Sequence, residues 1–179
     1  IKPASTYNLS VTVLRAIARV DVIKELTEDS PEFILEEVYA FRANNLMQIV
    51  PDLIPDITAP KVSSPSIPEE AEKLDAPVTI QVAGGTEFIQ QLYLPESIQA
   101  ISKEEKGTQA TTIVVGGRVG GAGNPVTYYR ADFNPGVNGH PFVQILRNHR
   151  YIFKIKKVNA AGWTRPETAA NNLASSMLV

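Results

Sequence analysis

The chain has 179 residues, a formal net charge of −2 and no cysteine, and 44% of its residues are apolar. This length corresponds to one domain or two small ones, and the apolar content excludes wholesale disorder. The near balance of charge argues against non-specific nucleic-acid binding, which requires an excess of Lys and Arg. Without cysteine the chain can form no disulfide, thiolate metal site, iron–sulfur cluster or cysteine nucleophile.

The sequence predicts no transmembrane helix, because no apolar run approaches the roughly 20 residues needed to span a bilayer. The chain begins with Ile1 and a polar stretch, whereas a signal peptide carries a basic segment followed by an apolar one. We therefore expect a processed product from which any export signal has been removed.

Residues 8–23 form the first predicted element, in which apolar and polar residues alternate with the period of a half-buried strand. The alternation changes phase at Leu14, which predicts a β-bulge or a break into a second strand. The spacing of Leu14, Ala18 and Val22 also fits a helix. The many β-branched residues and the lack of an N-cap pattern favour a strand.

Strand-like patterns recur along the rest of the chain. The predicted strands cover residues 33–41, 78–83, 88–94, 111–119, 126–133 and 143–158. The sequence GGAGN at 120–124 predicts a hairpin turn between two of them. Five prolines between residues 51 and 68 exclude a helix or a sheet interior there, and they predict an extended linker or an ordered irregular connection.

A short helix is predicted over 166–174. Thr164 is its candidate N-cap, Pro166 stands near its start and Glu167 lies in its first turn. At least six strands at short spacing, with at most one short helix near the C-terminus, predict a mainly β fold of the β-sandwich class.

The sequence offers little support for catalysis or metal binding. The Gly-rich segment 116–125 has Ala122 and Gly123 where a phosphate loop requires Lys and then Ser or Thr. The two histidines, His140 and His149, lie nine residues apart with no carboxylate at ligand spacing. We therefore predict no cofactor, no metal site and no enzymatic activity.

Two further patterns leave alternatives open. A row of cations near the C-terminus is either an anionic-ligand patch or a solvated strand face that protects a sheet edge. The row consists of Arg147, Arg150, Lys154, Lys156 and Lys157. Trp163 and the nearby tyrosines could stack on a sugar, although aromatic residues of a sandwich usually belong to the core. The adjacent Glu36 and Glu37 are interpreted as solvated charge.

Four segments, in their order and spacing, resemble one known family. They are LRAIARVDV at 14–22, YLPE at 93–96, YYRADF at 128–133, and RNHRY at 147–151 followed by Gly162-Trp163 and Pro166-Glu167. The chain thereby resembles the fimbrillin family of Bacteroidales, the subunits of pili assembled by donor-strand exchange. The likeness extends from about Leu9 to Asn171.

This resemblance implies transthyretin-like β-sandwich domains, export as a lipoprotein precursor, and proteolytic removal of an N-terminal segment before polymerisation. The proline-rich segment divides the chain into three regions. Residues 1–57 would form an N-terminal β-domain that is too short for a complete sandwich. Residues 58–77 would form a Pro-rich linker, and residues 78–179 a C-terminal β-sandwich.

The leading functional expectation is a structural subunit of a bacterial surface fimbria that supports adhesion. Its partners would be other fimbrial subunits in a head-to-tail polymer, together with host or bacterial surface ligands, and not nucleic acid. A strand from the next subunit would fill the groove of an incomplete sandwich. The alternative is a carbohydrate- or surface-binding tip adhesin that uses Trp163 or the loops at 120–124 and 134–141. A hydrolase on a β scaffold is the third hypothesis.

The assembly groove is predicted along the first strand segment, where small or β-branched side chains suit strand pairing. Its candidate residues are Val11, Val13, Ala18, Val20 and Val22. A structural role is predicted for Tyr129, Arg147, Asn148 and Tyr151. The last three are expected to fix the start of the final strand, because Asn suits a turn and Tyr151 begins the apolar face.

Overall fold

The structure is a computed structural model, and it describes residues 14–50, 62–82, 85, 87–99, 109–133, 143–172 and 177–179. Within these ranges no helix is long and apolar enough to cross a membrane.

Nine strands and one short helix account for the regular structure of these ranges. The strands are β1 Ala18–Lys24, β2 Phe33–Phe41, β3 Val78–Gln81, β4 Glu87–Leu94, β5 Thr112–Val119, β6 Thr127–Asp132, β7 Arg150–Ile155, β8 Lys157–Val158 and β9 Met177–Leu178. The helix, α1, covers Pro166–Asn171. The prediction of a mainly β fold with one short helix near the C-terminus is confirmed.

The strands form two main sheets. Sheet A has the order β4-β1-β7, in which β1 is antiparallel to β4 and parallel to β7. Sheet B has the order β3-β2-β5-β6, and every neighbouring pair in it is antiparallel. The short strands β8 and β9 pair antiparallel in a separate ribbon.

The hydrophobic core lies between the two sheets and draws on both. Its fully buried side chains include Val20, Phe88 and Ile155 from sheet A and Phe33, Leu35 and Ile113 from sheet B. Each such side chain stabilises the folded state by roughly 1.5–3 kcal/mol relative to an exposed position. Two sheets that share one core form a sandwich, as the strand pattern predicted.

Strand pairing crosses the predicted boundary between the N-terminal and C-terminal β-domains in both sheets. β1 lies between β4 and β7, and β2 lies between β3 and β5. The strands of the 1–57 region therefore complete sheets whose other strands come from the 78–179 region. Such long-range pairing cannot be deduced from where the proline-rich segment falls.

The described part of the proline-rich region, residues 62–77, is an ordered irregular connection. The Leu74 N–H donates to the Ala43 carbonyl at 2.8 Å, and the Asn45 N–H donates to the Glu72 carbonyl at 2.9 Å. These bonds hold the segment against the chain that follows β2. Of the two predicted alternatives, the ordered connection is the one observed over these residues.

Several predicted element bounds are wrong, three of them by more than one residue at a point that matters for the fold. The strand expected over 143–158 is interrupted by a turn at Arg147 and Asn148, because Asn148 adopts a left-handed backbone with φ of 58°. Residues 14–17 precede β1 and are not strand, and residues 8–13 lie outside the described part. Helix α1 has Arg165 at its N-cap, without a side-chain cap, in place of the predicted Thr164. It ends at Asn171, before the predicted end at 174, because Asn172 has an extended backbone.

Sheet A contains an irregularity that surrounds one buried carboxylate. The register moves from Val20 opposite Leu92 to Val22 opposite Phe88, so Asp21 alone faces three residues of β4. Asp21 accepts hydrogen bonds from the Gln90 N–H at 2.9 Å, Arg19 Nε at 2.9 Å and Arg150 Nε at 2.5 Å. Burial acts to raise the pKa of Asp21, but these hydrogen bonds outweigh it and lower the pKa.

Candidate assembly cleft

On one side of the sandwich, the last described strands of the two sheets are joined by side-chain contacts and not by strand pairing. Among the described strands, β6 is the last of sheet B and β7 is the last of sheet A, and beyond β6 only Trp163 bridges its outer edge, at Tyr128. Phe133, which follows β6, contacts Tyr151 and Phe153 of β7 edge to face, with ring centroids 5.2 Å apart in both pairs. The two edge strands therefore lie on the same side of the sandwich, and the aromatic rings span the gap between them.

A cleft of about 400 Å³ opens along β7 on this side. Its lining consists of Asp132, Phe133, Tyr151, Ile152, Phe153, Lys154, Lys156 and Val179. Five of these residues are apolar or aromatic and three are charged. This composition suits a chain segment that buries one face and leaves the other in water. We call this site the β7 cleft.

The alternation of side chains along β7 forms one wall of the β7 cleft. Phe153 and Ile155 are buried, Tyr151 is half-buried, and Ile152 and Lys154 are exposed. The sequence predicted that Tyr151 begins an apolar face, and the burial of Phe153 and Ile155 confirms it. Ile152 is 42% exposed, an unusual position for a large aliphatic side chain on an edge strand.

The C-terminal strand approaches the same cleft. β9 is antiparallel to β8, with Lys157 opposite Leu178 and Val158 opposite Met177. The same register places Val179 opposite Lys156, and both residues line the β7 cleft. A strand that follows the line of β9 beside β7 would therefore run antiparallel to β7.

A buried ion pair fixes the chain just before β7. The Arg147 N–H and Nε donate to the two carboxylate oxygens of Glu96 at 2.9 and 2.8 Å. The remaining guanidinium nitrogens donate to the carbonyls of Ile49 at 3.1 Å and Gln48 at 2.7 Å. Both charged side chains are at most 2% exposed. Arg147 thus joins three chain segments that are distant in sequence.

Asn148 and Tyr151 shape the turn that leads into β7. The left-handed Asn148 donates its N–H to the Ile17 carbonyl at 3.1 Å, which places the turn beside the start of β1. The Tyr151 hydroxyl donates to the Gln144 carbonyl at 2.7 Å and accepts the Leu146 N–H at 2.9 Å. One side chain therefore satisfies two backbone groups of the preceding loop.

Tyr129, the fourth residue predicted to be structural, lies in the core on β6. Its ring packs edge to face on Phe33 with centroids 5.7 Å apart, and its hydroxyl donates to the Ala160 carbonyl at 3.0 Å. Gly162 passes so close that a Cβ atom there would lie 2.8 Å from the Tyr129 ring. Tyr129 therefore holds the segment after β8 against sheet B.

The structure places the predicted groove residues elsewhere than in the β7 cleft. Ala18, Val20 and Val22 are fully buried on β1 and face the core. β1 is hydrogen-bonded to β4 on one edge and to β7 on the other. Val11 and Val13 lie outside the described residues. Period-2 alternation reveals an inward face but cannot tell a central strand from an edge strand, so the sequence did not single out β7.

The cations near the C-terminus are matched by carboxylates. Glu25 binds Lys154 at 2.9 Å and Lys156 at 2.5 Å, and Asp29 pairs with Lys157. Hydrogen bonds from the two lysines lower the pKa of Glu25. The three lysines therefore form a solvated face with compensated charge, one of the two predicted alternatives. Arg147 of the predicted row is buried against Glu96, and Arg150 pairs with the buried Asp21.

The described residues contain no group of three or more His, Cys, Asp or Glu side chains that could hold a metal ion. The Nδ1 atom of His149 lies 2.9 Å from the Arg147 carbonyl, in the turn before β7. His140 and the loop at 134–141 lie outside the described part of the chain.

Comparison of the chain with protein-family models, with curated proteins and with solved structures finds no match. The resemblance of the four segments to fimbrillins therefore stays a prediction.

Proposed function

We propose that this protein is a structural, non-catalytic subunit of a bacterial surface fimbria, and that a strand of a neighbouring subunit completes its sandwich in the β7 cleft. The observation that carries this proposal is the apolar cleft along β7, whose outer edge pairs with no other described strand. Edge strands that expose apolar side chains are a template for pairing with another chain.

The β7 cleft suits strand addition in both its backbone and its side chains. Among the described residues, β7 pairs with β1 alone, so an added strand would hydrogen-bond to the other edge. Alternate side chains of that strand would enter the cleft beside Phe133, Tyr151 and Phe153. Main-chain bonds would supply affinity, and the cleft would select side chains at alternate positions.

The added strand would run antiparallel to β7, in the line that β9 already takes beside β8. In an antiparallel pair, directly opposite residues point to the same face. The residues opposite Tyr151 and Phe153 would therefore be apolar, and the residue opposite Ile152 would lie on the outer face. A strand with apolar side chains at alternate positions meets this requirement.

Each apolar side chain that becomes fully buried would stabilise the contact by roughly 1.5–3 kcal/mol. The donor strand and the cleft are different surfaces, so the contact is heterologous and need not close into a ring. Repetition of such a contact produces a filament. The buried pair of Arg147 and Glu96 keeps the start of β7 in place while this edge is open.

The resemblance to fimbrillins extends the proposal beyond the cleft. It includes a transthyretin-like topology, a lipoprotein precursor exported to the outer membrane, and a cell-surface location in the fimbria. Immunogold labelling of intact cells would place the protein along surface filaments, and labelling confined to the cell interior would contradict this location.

The test of assembly is polymer formation by the full mature protein, followed by sedimentation and electron microscopy. We expect Phe133→Asp to abolish polymers, because it places a charge inside the β7 cleft. Val179→Asp alters the same cleft at a side chain that is 43% exposed, so it tests the cleft even if Phe133→Asp fails to fold. Tyr93→Asp is the matched control, since Tyr93 is 40% exposed on β4. Polymers that persist in both cleft variants would refute the proposal.

A further inference from the structure

The outer face of sheet B carries a row of polar and aromatic side chains that crosses five neighbouring segments. Gln81 of β3 is opposite Glu37 of β2, Glu37 is opposite Gly116 of β5, and Gly116 is opposite Tyr128 of β6. Tyr128 in turn forms an antiparallel bridge with Trp163, with both backbone hydrogen bonds present at 2.8 and 3.0 Å. Directly opposite residues share a face, so all five positions belong to one row.

Glycine at position 116 allows the row to be continuous. A Cβ atom there would lie 2.9 Å from Cε1 of Tyr128 and 3.2 Å from Cβ of Glu37. The Tyr128 ring therefore extends over Gly116, and its hydroxyl donates to Glu37 Oε2 at 3.0 Å. Any larger residue would displace this ring from the face of the sheet.

Glu37 is the polar centre of the row. Its Oε2 atom also accepts the Tyr39 hydroxyl at 2.6 Å, and its Oε1 atom accepts Gln81 Nε2 at 3.2 Å. The two phenols and the amide are held in fixed positions around one carboxylate. The phenolic oxygens and the amide retain further capacity to donate or accept hydrogen bonds at the surface.

Helix α1 forms a wall beside the row. Ala169 and Ala170 pack with Val114 and Phe41 on the same outer face, and the Tyr39 and Tyr128 rings border this cluster. Trp163, immediately before the helix, is 39% exposed. The row is thus a shallow surface with a helical wall, an exposed indole at one end and an exposed amide at the other.

We propose that this row binds a neutral oligosaccharide. An exposed aromatic ring offers an apolar surface on which the carbon face of a sugar ring can stack, and carboxylate, amide and phenol groups pair with its hydroxyls. Four strand spacings of about 4.8 Å give roughly 19 Å from Gln81 to Trp163, which accommodates more than one sugar ring. The charge of Glu37 disfavours acidic sugars. None of these residues lines the β7 cleft. A negative result for sugar binding would therefore leave the proposal of strand complementation untouched, and the reverse also holds.

Trp163 is the single tryptophan of the chain, so intrinsic fluorescence reports on the proposed site directly. The folded full-length protein is titrated with cellotetraose, maltotetraose and mannotetraose, and with tetragalacturonate as the acidic probe. We expect a saturable change in emission with at least one neutral tetrasaccharide and a weaker response to the acidic one. No response to all three neutral probes would overturn the proposal, as would tighter binding of tetragalacturonate.

Calorimetric titration with the responding sugar then assigns the residues. We expect Trp163→Ala and Glu37→Ala each to weaken binding about tenfold or more, in line with the loss of a stacking surface or of hydrogen bonds to a charged group. Trp163→Phe keeps an aromatic ring and should retain most of the affinity. Tyr93→Ala, on the outer face of sheet A, is the control and should bind as the unmodified protein does. Equal weakening by Tyr93→Ala and Trp163→Ala would refute the assignment.

Discussion

The two ends of the sandwich hold their charges in different environments. At the end where β7 begins, Arg147 and Glu96 are buried and tie three segments together. At the end where β7 finishes, Glu25 and Asp29 pair with lysines in contact with water. We call these the Arg147 end and the Glu25 end.

The ends also differ in the apolar side chains that they expose. Ile49 and Val50 are 75% and 71% exposed, and Ile98 and Val143 are exposed as well. All four lie close in the chain to Arg147 or to the groups it binds. Carboxylates and lysines predominate at the Glu25 end, where Val179, opposite Lys156, is the exposed apolar side chain named above.

This difference shows which charges matter for the fold. The two charges of a buried pair have lost their contact with water and are stabilised by each other. Removal of one partner therefore leaves a buried charge with no compensation. Exposed pairs retain water on both partners and are screened by salt, so their net contribution is small. We therefore expect stability to depend on the Arg147 end far more than on the Glu25 end.

The largest effect is expected for Arg147→Met, which leaves the Glu96 carboxylate buried without its cation. Loss of one partner of a buried pair costs about 3–5 kcal/mol, measured as the change in free energy of unfolding in urea. The double variant Arg147→Met with Glu96→Gln should lose less unfolding free energy than the two single variants lose in total, because no buried charge is left alone. Additive effects would contradict the proposed coupling.

The next effect concerns pH and Lys73, also at the Arg147 end. Lys73 Nζ donates to Ser97 Oγ at 2.5 Å and to Thr111 Oγ1 at 3.1 Å. Burial, and then the nearby charge of Arg42, lower the pKa of Lys73 to about 8. Between this value and the ordinary 10.5, the unfolded chain binds more protons than the folded one, so stability rises with pH.

We expect Lys73→Met to remove this rise. Melting temperatures are compared between pH 8 and about pH 9.5, a range that stays below the ordinary tyrosine pKa of about 10. This upper limit matters because burial raises the pKa of Tyr129 and Tyr151 in the folded protein. Above a pH of about 10 the unfolded chain would lose these tyrosine protons first, and the folded state would become less stable. If the melting temperatures of the unmodified protein and of Lys73→Met change equally between these pH values, the assignment to Lys73 is wrong.

A smaller effect is expected at Asn148, which has a left-handed backbone. Asn148→Ala should destabilise the fold by about 1 kcal/mol, because Ala adopts this conformation less readily. Asn148→Gly, which tolerates it, is the matched control and should cost less. Sugar binding should be unchanged in both variants. Loss of binding without loss of stability would show that this turn belongs to a ligand site.

The smallest effect is expected for Glu25→Gln at the opposite end. Because the pKa of Glu25 is lowered in the folded state, its contribution is present above the ordinary pKa and is lost as the pH falls through the folded value. Screening by solvent and salt keeps that contribution small. We expect no measurable change in melting temperature at physiological ionic strength. A drop comparable to that of Arg147→Met would invalidate the comparison of the two ends.

The local patterns of the chain predicted its strands better than their partners. β2 has the bounds predicted from its alternation, 33–41, and the inward face of β7 was predicted as well. The positions of β1 and β2 inside the two sheets depend on pairing across more than fifty residues. The alternation of residues within one strand does not identify the strand with which it pairs.

The two candidate sites illustrate the same limit. Tyr151 and Trp163 were singled out from the sequence, but the β7 cleft and the row on sheet B arise only when distant strands meet. Glu36 and Glu37 were interpreted together as solvated charge, whereas Glu36 binds Arg118 at 3.0 Å and Glu37 holds two tyrosine hydroxyls. The register of β2 shifts between Leu35 and Glu37. Regular alternation does not predict this bulge, which sets what each of the two carboxylates contacts.

The central claim is that a strand of a neighbouring subunit pairs with the open edge of β7. Amide hydrogen exchange of β7, compared between the monomeric and the polymerised full mature protein, tests it most directly. We predict that the β7 amides on the edge away from β1 become strongly protected in the polymer, while those of the opposite edge strand β4 stay as they are in the monomer. Polymers in which β7 exchanges as it does in the monomer would contradict the account.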